Sequence, residues 1–268
     1  MNKVLVSSAH TVWLMSLLFA AGCAPVQTPA KAPPVADIAP ESSLQTAILL
    51  PTAPKPGTAR YEADRAVFRA TRSLEGSPRW LQAQHDVDYS TPVLMADFSC
   101  AMGVPLDAER LPQLAGLVDQ TSNAADASTG PAKKANQRQR PFLIDPGATC
   151  QATTQLTHSF DYPSGHATRG WAVGLVLTEL APDRATDLLL RSRAFADSRV
   201  VCGVHNLSAI EAGAMNGAAV VATLHASETF QAKLAAARKE LADYRLSAAS
   251  NAGPQCSAER ALLVPTPY

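Results

Sequence analysis

Tyr162-Pro163-Ser164-Gly165-His166 is followed by Ser198-Arg199, five further residues and His205, and it is preceded by Lys133, six residues and Arg140-Pro141. Together these three motifs hold two histidines, three cations and a Ser-Gly turn leading into a helix. Cations neutralise an oxyanion such as phosphate, and the N–H groups at a helix start add a positive dipole end. Two histidines can share nucleophile and acid roles without a metal ion. The motifs therefore predict a phosphate site with His166 and His205 as the reacting pair, built from Lys133, Arg140, Ser164, Gly165 and Arg199.

In this order and spacing the motifs resemble the signature of the type 2 phosphatidic-acid phosphatase superfamily. Within it, the chain is most similar to the bacterial class A non-specific acid phosphatases, from about Leu49 to about Leu241. The resemblance implies an all-α, single-domain helical bundle that hydrolyses phosphate monoesters and uses no metal or other cofactor. Vanadium-dependent haloperoxidases share the motifs and hold vanadate at the same site, which leaves a different ligand as a further alternative.

The resemblance also implies a role for each histidine. The histidine of the second motif is the family's general acid, which corresponds to His166 here. The histidine after Ser-Arg is the family's nucleophile, which corresponds to His205 and would form a phosphohistidine that water then hydrolyses.

Several positions depart from the family pattern. The family carries an aspartate four residues after the nucleophile to orient it, and this chain has Ala209 there, with Glu211 pointing elsewhere on the helix. We therefore expect a weakened phosphatase whose activity rises in an Ala209→Asp variant. The alternative is a catalytically degenerate protein that only binds phosphate. Asp161, Ala167 and Asn206 stand where relatives have serine, threonine and an aromatic residue, and we expect the Asp161 carboxylate to repel phosphate.

The N-terminal segment indicates export from the cytoplasm. Residues 1–22 contain Lys3, an apolar run and small residues, as in a signal peptide. Ala20-Ala21-Gly22-Cys23 resembles a lipobox, which predicts lipidation of Cys23 and a tether to the outer membrane. An ordinary signal peptide cut near Ala21 or Ala24 is the alternative. Both readings place the mature protein in the periplasm.

The remaining organisation follows from composition. Residues 23–57 are rich in Pro and Ala and are predicted to be a linker, 58–249 the helical phosphatase-like domain, and 250–268 an irregular tail. The chain has 23 basic and 23 acidic residues, which argues against a nucleic-acid surface. Relatives often assemble as homo-oligomers, but no interface can be read from this sequence.

Helical periodicity extends through most of the domain, with two predicted interruptions. Residues 120–130 are small and polar and are predicted to be a loop, and residues 142–161 show no period. Between them, 133–140 is predicted to be a basic helix that places Lys133 and Arg140 on one face, with Lys134 and Arg138 on the surface. Later helices are predicted at 166–181, 183–200, 206–225 and 227–249.

Four cysteines remain once Cys23 is set aside: Cys100, Cys150, Cys202 and Cys256. An even number in an oxidising compartment indicates disulfides, with three possible pairings. Buried free thiols are the alternative. A disulfide at Cys202 would stiffen the region around His205.

Overall fold

The computed structural model describes residues 44–248, 250 and 253–268, and these contain eleven α-helices and no β-strand. The helices are α1 (Thr46–Leu49), α2 (Ala59–Thr71), α3 (Pro78–His85), α4 (Thr91–Asp97), α5 (Ser99–Met102), α6 (Pro112–Asn136), α7 (Gly165–Leu180), α8 (Ala185–Val201), α9 (Leu207–Leu224), α10 (Glu228–Ser247) and α11 (Pro254–Leu263). The all-α prediction is confirmed. Helices α7 to α10 agree with the predicted ranges to within about two residues. The predicted export signal and Cys23 lie outside the described residues.

Helix α7 is the centre of the bundle. It packs most extensively against α8 and α9, and α6 also lies against it. Most of its residues are buried, as expected of a helix surrounded by others. Close approach requires glycine at Gly217 of α9, where a Cβ would lie 2.6 Å from the carbonyl oxygen of Thr168. Because His166 lies in the first turn of α7, Arg199 in the last turn of α8 and His205 just before α9, this packing fixes the relative positions of two motifs.

Helix α6 is continuous from Pro112 to Asn136, so the predicted loop at 120–130 is wrong. Its middle turns bury small side chains, among them Thr121, Ala125 and Ser128. Such residues give only a weak hydrophobic period, but they let α6 approach its neighbours closely. Tertiary packing of this kind outweighs a weak local preference for helix.

The predicted basic helix at 133–140 is wrong beyond Asn136. Helix α6 ends there, and Gln137 adopts a left-handed conformation with φ of 46°. Arg140 lies in extended chain after the helix, so Lys133 and Arg140 share no helical face. Arg138, predicted to be on the surface, is buried, whereas Lys134 is exposed as predicted.

The end of the predicted linker packs on the domain, and the C-terminal tail is more ordered than predicted. The Thr46 hydroxyl donates a hydrogen bond of 2.8 Å to the Ser128 carbonyl, and Leu50 is buried, so the end of the predicted linker packs on the domain. The predicted irregular tail contains α11, which the Cys100–Cys256 disulfide joins to α5. A covalent bond and the burial of Leu263 hold this short helix despite the prolines around it. All described residues belong to one compact unit.

Among the described residues, α9 is long and apolar enough to cross a membrane by length and composition alone. Of its window, 56% is buried, and the helix packs against α6, α7 and α8. A helix in the core of a bundle has the same composition, and α9 lies in the core of this bundle.

Candidate active site

The cations and histidines of the three motifs converge. Lys133 lies in the last turn of α6, Arg140 in the loop after it, and Arg199 in the last turn of α8. Burial is the main cause that lowers the pKa values of His205 and His166. The positive charges of all three cations lower that of His205 further, and the charges of Arg199 and His205 lower that of His166. The other four side chains therefore lie within electrostatic reach of His205, although the sequence separates the five by up to 72 positions.

His205 is buried and has a carboxylate partner that the sequence did not indicate. Its Nδ1 atom lies 2.9 Å from Oδ1 of Asp161. The same carboxylate accepts hydrogen bonds from the backbone N–H of Asn206 at 3.2 Å and from the Asn206 side-chain amide at 2.8 Å. The expectation that the nucleophile position lacks a carboxylate is therefore wrong. Asp161, interpreted as a source of repulsion towards phosphate, instead contacts the far side of the His205 ring.

A second buried carboxylate supports this arrangement. Asp64 accepts hydrogen bonds from the backbone N–H and the hydroxyl of Ser208, in the first turn of α9. Arg138 donates to Asp64 at 2.8 Å and brings its Nε within 3.6 Å of Asp161. Arg138 thus links the two carboxylates, which explains why this residue is inside the protein. Negative groups at a helix N-terminus are also favoured by the helix dipole.

Arg140 occupies the other side of the His205 ring. Its Nη1 lies 3.1 Å from Nε2 of His205 and also donates to the Val204 carbonyl at 2.8 Å. Its Nε donates to the Ser159 carbonyl at 2.8 Å. Burial lowers the pKa of Arg140, and the Asp161 charge partly offsets this.

Arg199 is the cation most clearly available to a ligand. It is 1% exposed, and one of its nitrogens donates to the side-chain oxygen of Gln151 at 2.5 Å. Its Nε and Nη1 meet no hydrogen-bond acceptor among the described residues. Burial, together with the charge of Arg140, lowers its pKa to about 9. A buried guanidinium with unpaired N–H groups beside other cations is a site for an anion.

Lys133 completes the set of cations. Its Nζ donates to the Phe160 carbonyl at 2.6 Å. Burial is the main cause that lowers its pKa to about 8, and the charge of Arg140 adds to it.

His166 is held by its Nε2 atom, which lies 3.0 Å from the carbonyl oxygen of Val87. Because a carbonyl can only accept, Nε2 carries a proton and Nδ1 is the remaining titrating atom. Tyr89 packs edge-on against the ring, and Phe195 stacks on it with centroids 6.0 Å apart. Burial and then the charge of Arg199 hold the pKa of His166 well below its usual value.

Ser164 and Gly165 form the start of α7. The Ser164 hydroxyl accepts a 3.3 Å hydrogen bond from the Ala167 N–H and so caps the helix. The Ser164 N–H donates to the carbonyl of Ala209 at 2.9 Å, which ties the turn to α9. A Cβ at Gly165 would lie 3.7 Å from the nearest Asp126 oxygen, so contacts with the described residues do not require glycine there.

The disulfide next to the site is Cys150–Cys202, which selects one of the three pairings left open by the sequence. The Cys150 N–H also donates to the Cys202 carbonyl at 3.0 Å. Because Gln151 follows Cys150 directly, this bond fixes the residue that contacts Arg199. Two functional partners, Asp161 and Gln151, lie in the 142–161 loop, which has no periodicity from which their direction could be predicted.

Ala209 and Glu211 are placed as their sequence positions suggested. Ala209 is fully buried in an apolar cluster with Ala53, Tyr162 and Ala212. Glu211 is exposed and pairs with Arg60, away from His205. Grouped His, Cys, Asp or Glu side chains that could hold a metal ion do not occur among the described residues.

Comparison with known proteins agrees with this geometry. Residues 121–232 match the PAP2 superfamily, a range that contains all three motifs. The chain is 38% identical to an acid phosphatase of Zymomonas mobilis over 204 residues, which cover 75% of this chain and 77% of the relative. It is 35% identical to a non-specific acid phosphatase of Salmonella typhimurium over 210 residues, which cover 76% of this chain and 83% of the relative. It is 34% identical to a non-specific acid phosphatase of Providencia stuartii over 203 residues, which cover 75% of this chain and 82% of the relative.

The chain belongs to the PAP2 superfamily, among its bacterial acid phosphatases. The family resemblance drawn from the three motifs is thereby confirmed. The roles of the individual residues in this PAP2 protein rest on the geometry of the site.

Proposed function

We propose that this PAP2 protein is an acid phosphatase that hydrolyses phosphate monoesters through a phosphohistidine at His205. The observation that carries the proposal is the set of buried cations around His205, above all Arg199 with its two unpaired N–H groups. These groups would bind phosphoryl oxygens, with Arg140 and Lys133 completing the set. The acid phosphatases among its relatives support the same reaction class.

In the proposed reaction Nε2 of His205 attacks phosphorus in line, the N–P bond forms, and the P–O bond to the alcohol breaks. His166 would protonate the leaving oxygen. Because its Nε2 proton is held by the Val87 carbonyl, the transferred proton must come from Nδ1. Its pKa is low in the free protein, so it is a bound phosphate dianion that would raise this pKa and load the acid. Water then attacks the phosphohistidine and releases phosphate.

The primary test measures hydrolysis of p-nitrophenyl phosphate by the mature domain, with His205→Ala as the blank. We expect turnover well above the blank, and ³²P label trapped on the wild-type chain but not on the variant. Phosphate binding without turnover or label would instead support the second candidate, a degenerate phosphate-binding protein. The departure at Ala209 is the observation that favours that candidate.

The leaving group tests His166. General acid catalysis contributes roughly 10²- to 10⁴-fold, and it matters most for a poor leaving group. We therefore expect His166→Ala to slow an alkyl phosphate far more than p-nitrophenyl phosphate. Equal losses on both substrates would remove His166 from the acid role.

The proposed compartment is the periplasm, because the disulfides Cys100–Cys256 and Cys150–Cys202 fit an oxidising environment. A lipid tether at Cys23 is part of this proposal. Labelling with a radioactive fatty acid, with Cys23→Ser as the control, tests it, and equal labelling of both chains would contradict it.

A further inference from the structure

The hydrogen bonds around the Asp161 side chain show whether Asp161 or His205 is the donor in their contact. Asp161 is fully buried. Apart from His205, its carboxylate contacts the backbone N–H of Asn206, the side-chain amide of Asn206 and the guanidinium of Arg138. Each of these is a donor, so both oxygens of Asp161 act as acceptors. Burial raises the pKa of Asp161, while Arg138 and the two Asn206 hydrogen bonds oppose that rise and favour the carboxylate. The Nδ1 atom of His205, 2.9 Å from Oδ1, is therefore the donor in that contact.

The opposite edge of the His205 ring leads independently to the same tautomer. An arginine has no acceptor atom, so the 3.1 Å contact between Nη1 of Arg140 and Nε2 of His205 requires a lone pair on Nε2. The pKa of His205 lies well below its usual value, because of burial and the surrounding cations, so the free ring is neutral. A neutral ring has one proton, and both contacts place it on Nδ1.

We propose that Asp161 is the positioning residue of His205: it fixes the Nδ1–H tautomer and stabilises the ring while the N–P bond forms. This inference rests on the proposed phosphatase function. As Nε2 bonds to phosphorus and the ester oxygen leaves with a proton from His166, the ring keeps its Nδ1 proton and gains positive charge. The Asp161 carboxylate balances that charge from 2.9 Å away. The same geometry leaves the phosphate side of the ring, at Nε2, free of the carboxylate.

Position 209 is poorly suited to hold a carboxylate that positions His205 in this structure. The Ala209 side chain is 0% exposed and packs in the apolar cluster with Ala53, Tyr162 and Ala212. Meanwhile Asn206 supplies two of the donors that hold Asp161 in place. Asp161, Asn206 and His205 therefore form one network, in which the carboxylate reaches His205 from the loop before α7 rather than from α9.

One consequence reverses the expectation drawn from the sequence. An Ala209→Asp substitution alone would bury a second carboxylate in an apolar cluster without a cation of its own. We therefore expect no gain in activity from this variant and a loss of stability.

The decisive experiment compares wild type, Asp161→Ser and Asp161→Asn on p-nitrophenyl phosphate, with His205→Ala as the blank. For Asp161→Ser we expect kcat to fall roughly 10²- to 10⁴-fold, between the loss of one preorganised hydrogen bond and the loss of a serine protease's orienting aspartate. KM and inhibition by inorganic phosphate should change less than about threefold. The ¹⁵N spectrum of the His205 ring should show a smaller share of the Nδ1–H tautomer than in wild type, because only the Arg140 contact at Nε2 still favours it. Asp161→Asn keeps the shape of the side chain but replaces one acceptor oxygen and the negative charge by an NH₂ donor, so it should also lower kcat strongly and disturb the tautomer, as in the serine-protease triad.

The outcomes separate this inference from the proposed function. Wild type no faster than His205→Ala would refute the phosphatase itself. An active wild type with kcat of Asp161→Ser within about threefold would refute the positioning role alone. If kcat and phosphate affinity of Asp161→Ser both fell strongly while the His205 tautomer stayed unchanged, Asp161 would be a structural residue and not a positioning residue. If Asp161→Ser does not fold, kcat of Asp161→Asn within about threefold of wild type overturns the inference. Glu211→Gln, which removes an exposed carboxylate from the same helix as Ala209, is the matched control and should match wild type.

Discussion

Arg191 and Arg199 lie about two turns apart on α8, both 1% exposed, yet their surroundings shift their pKa values in opposite directions. Arg191 faces carboxylates: Asp86 at 2.7 Å, Asp97 at 3.4 Å and Glu259 at 3.6 Å. Arg199 faces the amide oxygen of Gln151 and the positive charge of Arg140. One helix thus carries a buried cation that is neutralised and another that is not. The first is part of the fold, and the second is the proposed binding site for the phosphate anion.

The comparison also explains why the two regions differ in their covalent support. Cys100–Cys256 attaches α11, which carries Glu259 to Arg191. Cys150–Cys202 holds Gln151 against Arg199. Each disulfide therefore fixes the chain segment that supplies a partner to one of the two arginines.

The largest expected effect is the loss of stability in Arg191→Met. Removing this cation leaves Asp86 and Asp97 buried without it, which costs about 3–5 kcal/mol. Urea unfolding measures the change, and kcat of the folded fraction should stay close to wild type. Arg238→Met is the control, because this exposed arginine pairs with Glu179 on the surface and should contribute at most about 1 kcal/mol. A loss below about 1 kcal/mol in Arg191→Met would show that the cluster is not structural.

Arg199→Met should show the reverse pattern. The variant loses a cation whose N–H groups are aimed at the proposed phosphate, so we expect kcat/KM to fall roughly 10²- to 10³-fold. Stability without ligand should be unchanged or higher, because a buried cation among other cations is removed. Wild type should gain about 2.7 kcal/mol at phosphate one hundred times its Kd, and the variant should lose most of this gain. Destabilisation as large as that of Arg191→Met would abolish the distinction between the two arginines.

Replacing each disulfide by serine pairs sharpens the comparison further. Both variants should lose about 2–4 kcal/mol of stability, a typical contribution of one disulfide. Only Cys150→Ser with Cys202→Ser should also lower kcat/KM, because that change releases Gln151 and the loop containing Asp161. Thermal unfolding measures the change in stability, and p-nitrophenyl phosphate hydrolysis at a temperature below the unfolding transition measures the change in activity. Equal loss of activity in both variants would mean that the pairs do not serve separate regions.

The sequence predicted the parts of this protein that depend on local pattern. Helices α7 to α10 were predicted because helical periodicity extends through this part of the sequence. In the structure, Ser164 and Ser227 cap two of them. The continuous α6 was missed because small residues such as Ala124 and Ser128 have no strong period, and only the packing of α6 against other helices shows their role.

The site was predicted unevenly for the same reason. Motif spacing identified Arg199, His166 and His205, since each lies on or next to a regular helix. The contact between Asp161 and His205 could not be predicted, because it joins a loop residue to a residue 44 positions away. Its signal was present only as a combination: a carboxylate missing at position 209, one added at 161, and an amide at 206 that could hold it.

The smallest predicted effect concerns the pH dependence of phosphate binding through Lys133. Its pKa of about 8 is set by burial and Arg140, which lower it, and by Asp161 and Asp126, which raise it. Lys133 is therefore charged below pH 8 and loses its proton above it, so the affinity for the phosphate dianion should fall about fourfold between pH 7 and 8.5. Over this range His205 stays neutral and Arg199, with a pKa of about 9, stays mostly charged. The Lys133→Arg variant keeps its charge, so its phosphate affinity should stay high across this pH range. The phosphate affinity of Lys133→Met should stay low across the same range. If Lys133→Arg showed the same fall as wild type, the titrating cation would be Arg199, and the cation without a carboxylate partner on α8 would control the pH dependence of binding.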